Sequence, residues 1–259
     1  MNHDPYAAPQ APPSEGPGDP IPTAPQPWET SEVLSEAWRI FTVHWPVLVL
    51  SVLVTTAIVM LPTIVLFGVK IRAGGWDPKV MEEAGRGPLA NAVSCLDQIL
   101  GAFFTAGLVR INLTAARGGA PRLMDLFSGA NAFLPMLGVT ILTGLACACG
   151  VLLFIVPGVI LFCGLWASSY YVVDAKLGVI DSMKASWDAM QGQKGDILVF
   201  LLVTILINVG GFFTCCVGFF LTAPVMALAL AIVFLRVSGR GVPGPPAPFV
   251  MPFGYDGPR

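Results

Sequence analysis

The feature that most constrains this chain is a set of long runs without a single charged residue. A helix crossing roughly 30 Å of hydrocarbon needs about 20 mostly uncharged residues. No Asp, Glu, Lys or Arg lies between Arg39 and Lys70, so one span is expected near residues 46 to 68. Asp125 to Asp174 has room for two spans, with Pro157-Gly158 where the hairpin turn falls. Asp196 to Arg236 again has room for two, with Gly210-Gly211 and Gly218 near the reversal. A sixth span runs from about Ala90 to Arg110 and is interrupted by Asp97. Backbone groups in lipid must be satisfied within the structure, and these runs lack the period-two alternation of barrel strands, which leaves helices. The expected fold class is all-α, a polytopic membrane helix bundle of about six transmembrane helices.

Composition agrees. Only 12% of residues are charged, against about 25% in soluble domains, and the mean hydropathy is +0.74. The 14 basic residues are dispersed and the net charge is -2, which leaves no footprint for nucleic acid. The expected partners are membrane lipids and other membrane proteins.

Residues 1–28 hold nine prolines, no basic residue and no apolar core, so they read as a disordered tail rather than a signal peptide. Residues 239–259 form a second Pro-rich tail, leaving a membrane domain at 29–238. Pro-x-x-Pro spacings such as Pro9 to Pro12 and Pro22 to Pro25 suit polyproline II ligands, but tails this rich in proline produce them by chance, and a flexible linker is the preferred reading.

Six spans put both tails on one side, together with Arg39, Arg110, Arg117, Arg122, Lys176, Lys184, Lys194, Arg236, Arg240 and Arg259. The other side has Lys70, Arg72, Lys79 and Arg86, so the positive-inside rule predicts cytoplasmic termini and one sizeable outer loop at residues 70–88. Trp38, Phe127 and Trp187 each stand eight residues before Pro46, Pro135 and Gly195, which open hydrophobic runs. This spacing predicts three helix-hairpin repeats. Val33, Leu34, Ala37, Trp38 and Phe41 share one helical face, as do Ile180, Met183, Trp187 and Met190. Both stretches are expected to be interfacial helices lying in the headgroup plane and orienting the spans that follow.

Reactive chemistry is sparse. The sequence has no His-Glu-x-x-His, Gly-x-Ser-x-Gly, Walker or dinucleotide-binding motif. Asp174, Asp181 and Asp188 recur every seven residues in a polar loop and helix face, and a charged helix face is the ordinary explanation. Cys95, Cys147, Cys149, Cys163, Cys215 and Cys216 lie in apolar runs, and the close pairs Cys147/Cys149 and Cys215/Cys216 have no His or acidic neighbour, so they read as packing residues rather than metal ligands or disulfides. No catalytic residue, metal site or cofactor is expected. Ala223, Ala227 and Ala231, Gly144 with Ala148, and Ala146 with Gly150 form small-residue stripes suited to close helix contact. Pro62, Pro157 and Pro224 are expected to kink helices or free carbonyls.

The segments Ala106-Gly107-Leu108, Ala116-Arg117-Gly118, Val156-Pro157-Gly158-Val159 and Val172-Val173-Asp174, with Gly178, Asp181, Ser186 and Trp187, carry a resemblance. Over roughly residues 33 to 238 the chain resembles bacterial six-helix membrane proteins of the uncharacterised, YciC-like kind. It also resembles the membrane domain attached to glycerophosphoryl diester phosphodiesterases. The resemblance implies a bacterial inner-membrane protein and supplies no site. The chain departs from it in its Pro-rich tails and in having no soluble domain, so no phosphodiesterase activity carries over.

The candidate polar site is Asp97. An ionised carboxylate at mid-membrane costs about 2.5–3.5 kcal/mol on insertion scales, so it is expected to face the bundle, a cavity or a partner. Asn91, Ser94 and Gln98 share one helical face that Asp97 borders. The alternative is a span beginning near residue 96, with Asp97 at the outer interface. Two functions follow from these features. One is a non-catalytic protein that organises or binds other membrane components; the other is a transporter or channel for a small solute.

Overall fold

The computed structural model describes residues 27–74, 87–213 and 217–240. The two Pro-rich tails, most of the expected outer loop, and Cys215 and Cys216 lie outside the described residues. The helices are α1 (Thr30–Gly74), α2 (Pro88–Ala116), α3 (Phe133–Leu153), α4 (Ile155–Leu165), α5 (Ser168–Asp174), α6 (Val179–Ala189), α7 (Lys194–Phe213) and α8 (Val217–Ser238). A 3₁₀ segment, Leu123–Ala132, precedes α3.

Among the described residues, six helical stretches are long and apolar enough to cross a membrane: Thr30–Arg72, Pro88–Ala116, Leu123–Leu153, Val156–Asp174, Lys194–Gly211 and Phe220–Ser238. The all-α bundle expected from the charge gaps is therefore observed. Its outer surface is apolar, with Leu152 88% exposed, Leu134 75% and Leu206 72%. Such a surface has no stable contact with water and suits lipid. The chain is a multi-pass membrane protein by the length and composition of its helices.

Three hairpins pair α1 with α2, α3 with α4, and α7 with α8, and α1 also packs against α8, bringing the first helix to the last. Each hairpin follows a helical lead-in: the first turns of α1, the 3₁₀ segment, and α6. That is the expected three-unit organisation.

The lead-ins differ from expectation. The first is continuous with its span, so α1 runs for 45 residues, or about 67 Å at 1.5 Å per residue. Val33, Ala37 and Phe41 are at most 3% exposed in the hydrophobic core. The amphipathic face is covered by protein rather than by headgroups, and Trp38 on its flank remains exposed. In α6, Trp187 is half-buried against Gly164, where a Cβ would meet the ring at 2.4 Å. Lys194 Nζ lies over that ring, 3.5 Å from its centroid.

Close crossings depend on a few glycines. A Cβ on Gly107 of α2 would fall 2.1 Å from the Leu126 carbonyl oxygen, so the 3₁₀ segment lies directly on α2. A Cβ on Gly150 would stand 2.8 Å from Gly158 Cα, which closes the α3–α4 turn around the extended Phe154. Pro157 falls in the first turn of α4, where its missing N–H breaks no bond, so it does not kink a span. Pro62 and Pro224 are inside α1 and α8 as expected. Of the small-residue stripes, Gly150 and Ala231 are buried, whereas Gly144 meets nothing within 4 Å and Ala148 is exposed.

Candidate functional site

Polar groups in this bundle are mostly satisfied locally. The hydroxyls of Ser51, Ser168 and Thr204 donate to carbonyls three or four residues earlier, at 2.8, 2.7 and 2.9 Å. Asn208 and Thr222 bridge α7 to α8, the Thr222 hydroxyl donating to Asn208 Oδ1 at 3.3 Å. Ser186 Oγ donates to the Gly164 carbonyl at 2.7 Å, tying α6 to α4. Two places remain where a charged group is partly or wholly enclosed.

The first is Asp97. It lies nine residues into α2, about 14 Å from the start of that helix. Thr63 of α1 donates its hydroxyl to Asp97 Oδ2 at 2.5 Å, while Oδ1 is buried with no hydrogen-bond partner among the described residues. Asp97 thus turns toward α1. Asn91, Ser94 and Gln98 are all exposed, so the structure does not gather the expected four-residue patch into one site. The missed partner is Thr63, one of many threonines in a helix that the sequence reads as uniformly apolar.

The second is an ion-pair cluster at the end of the bundle where α1 begins and α2, α5 and α8 end. Asp174, 5% exposed, bonds Arg117 Nη1 through Oδ1 at 2.6 Å and Arg240 Nη1 through Oδ2 at 2.8 Å. Arg236 of α8 reaches Glu36 at 2.7 Å and Glu32 at 3.3 Å on α1. The expected charged face of Asp174, Asp181 and Asp188 is therefore not one face. Asp181 and Asp188 are exposed on α6, but Asp174 closes α5 and is buried between two arginines. Enclosing a carboxylate this far is costly unless it is paired, and each arginine supplies part of that pairing. Arg117 leaves Nε and Nη2 buried without partners among the described residues.

Beside this cluster lies a pocket of about 350 Å³, lined by Arg110 of α2, Ser128 and Asn131 of the 3₁₀ segment, and Lys176 and Leu177 of the α5–α6 turn. Arg110 Nη1 donates to the Ser128 carbonyl at 3.2 Å and to its hydroxyl at 3.1 Å, which fixes the guanidinium at the pocket wall. Lys176 has φ 52°, the one positive φ outside glycine among the described residues. A left-handed conformation costs a side-chain-bearing residue roughly 1–2 kcal/mol. The turn holds it there because Asp174, two residues earlier, is clamped by Arg117 and Arg240, and because the Tyr171 carbonyl accepts the Ala175 N–H at 3.0 Å.

Cys147 is half-buried, Cys163 buried, and Cys95 and Cys149 exposed, all as free thiols. No group of three or more His, Cys, Asp or Glu that could hold a metal occurs among the described residues. Comparison with protein-family models, with curated proteins and with solved structures gives no match.

Proposed function

We propose that this chain is a non-catalytic protein of a bacterial inner membrane, with both termini in the cytoplasm, that organises or binds other membrane components. The observation that carries the reading is the charged clamp across one end of the bundle. Arg117, Asp174 and Arg240 join α2, α5 and the end of α8, and Arg236 with Glu32 and Glu36 joins α8 to α1. A bundle tied this way favours a fixed platform over one whose halves must part in each working cycle. Placement in a bacterial inner membrane rests on the resemblance to YciC-like six-helix proteins, and cytoplasmic termini rest on the excess of basic residues at the clamped end. The two Pro-rich tails then supply partner-binding segments. Crosslinking in native membranes followed by co-purification tests this: a reproducible membrane partner that is lost when both tails are deleted is expected, and its absence would overturn the reading.

Asp97 favours a second reading, transport of a small cationic solute or proton. Its Oδ1 is buried and has no partner among the described residues, and carboxylates in that setting mark ion pathways. Flux in liposomes that is abolished by Asp97→Asn would favour it over the first.

A further inference from the structure

We propose that the pocket between α2, the 3₁₀ segment and the α5–α6 turn binds the phosphate of an anionic phospholipid headgroup. Two cations line it, Arg110 and Lys176, and among the described residues neither has a carboxylate partner. The nearest acids are committed elsewhere. Asp174 is held by Arg117 and Arg240, and Asp125 accepts the Arg122 backbone N–H at 2.9 Å to cap the 3₁₀ segment. Arg110 spends Nη1 on Ser128, which leaves further guanidinium N–H groups for a ligand. Lys176 is set beside them by a left-handed backbone conformation that glycine would adopt more easily, so the turn holds a cation where geometry alone calls for none. Asn131 adds an exposed amide.

A phosphate group fits these donors, and its surroundings favour a lipid as the source over a free anion. The 3₁₀ segment and the start of α3, which adds Pro135 to the pocket wall, carry an exposed apolar fringe of Met124, Phe127 and Leu134, at 73, 47 and 75% exposure. Acyl chains would lie along that fringe while the headgroup enters the pocket. The proposal rests on the membrane reading but not on the organising role. If the membrane reading failed, carbonate would extract the chain without detergent, whereas failure of the pocket leaves membrane association intact.

The test uses the full chain purified in mild detergent, offered equal amounts of phosphatidylglycerol and phosphatidylcholine, with bound lipid counted by native mass spectrometry. Wild type is expected to favour phosphatidylglycerol, and Lys176→Gly to cut that preference about fivefold, the weight of one basic residue near a membrane surface. The same variant should melt no lower than wild type, since glycine relieves the left-handed turn, so loss of binding without loss of stability separates a ligand role from a structural one. Lys184→Gln, on the exposed side of α6, should keep the preference. Arg110→Gln should lose it as Lys176→Gly does. Equal retention of the two lipids by wild type, or equal loss in Lys184→Gln, would overturn the site. Displacement of the lipid by a molar excess of inorganic phosphate would overturn the lipid assignment in favour of a soluble phosphate.

Discussion

Replacing Asp174 with Asn keeps its shape and removes its charge. The carboxylate is 5% exposed and bonded at 2.6 and 2.8 Å to arginines that are themselves only 26 and 30% exposed. Breaking a buried ion pair from one side costs about 3–5 kcal/mol. The arginines retain some water here, which lowers the expected loss to about 2–3 kcal/mol. Arg117 is the more affected partner, because its Nε and Nη2 already lack acceptors among the described residues and Nη1 would lose its carboxylate. Thermal unfolding in detergent should then fall by roughly 4–12 °C, using 2–4 °C per kcal/mol for a domain of this size. Asp181→Asn is the matched control, one heptad away and exposed, and should change stability by less than about 0.5 kcal/mol. Equal Tm values for the two variants would refute the clamp and restore the reading of Asp174 as part of a solvated face.

Gly107→Ala places a methyl 2.1 Å from the Leu126 carbonyl and should destabilise by about 3 kcal/mol, the upper range for overpacking, because the obstacle is backbone. Gly144→Ala, with nothing within 4 Å, should leave Tm in detergent unchanged. Thr63→Val strips the donor from Asp97 and should cost about 1–3 kcal/mol; in an Asp97→Leu background the same change should cost nearly nothing, so a double-mutant cycle in SDS unfolding reads the pair directly. Arg236→Gln frees Glu36 and Glu32 from α8, and should loosen the start of α1 enough to raise hydrogen exchange across residues 30–41 while leaving α4 unaffected.

Much of the fold was legible because membrane spans are written in composition. The charge gaps located all six apolar stretches, and the expected turn at Pro157-Gly158 falls within a few residues of the break at Phe154. The reversal expected near Gly210-Gly211 and Gly218 lies between α7 and α8. The lead-in to the first span was misread because an amphipathic stripe records only that one face avoids water. It does not record whether protein or headgroups cover it, and α8, which covers this one, lies some 200 residues away. Asp174 was misread for a similar reason. A seven-residue repeat implies a shared face only within one helix, and here the helix ends at Asp174 and the chain turns at Lys176 before α6 begins. Its arginine partners are 57 and 66 residues distant in sequence. Asp97 stands out in the sequence as the acid within the second apolar stretch, but its direction toward Thr63 depends on how α1 and α2 are rotated, which hydropathy leaves open.

The central claim is that six spans place both ends of the membrane domain, and every clamp residue, on one side. Single cysteines introduced on a cysteine-free background at positions 122, 184 and 194, and one at position 77 between α1 and α2 in sequence, would be tested with a membrane-impermeant thiol reagent on intact cells. Only the cysteine at 77 is predicted to react, with the other three labelled after the membrane is opened. Disagreement among 122, 184 and 194, or the same outcome at 77 as at those three, would contradict the six-span arrangement.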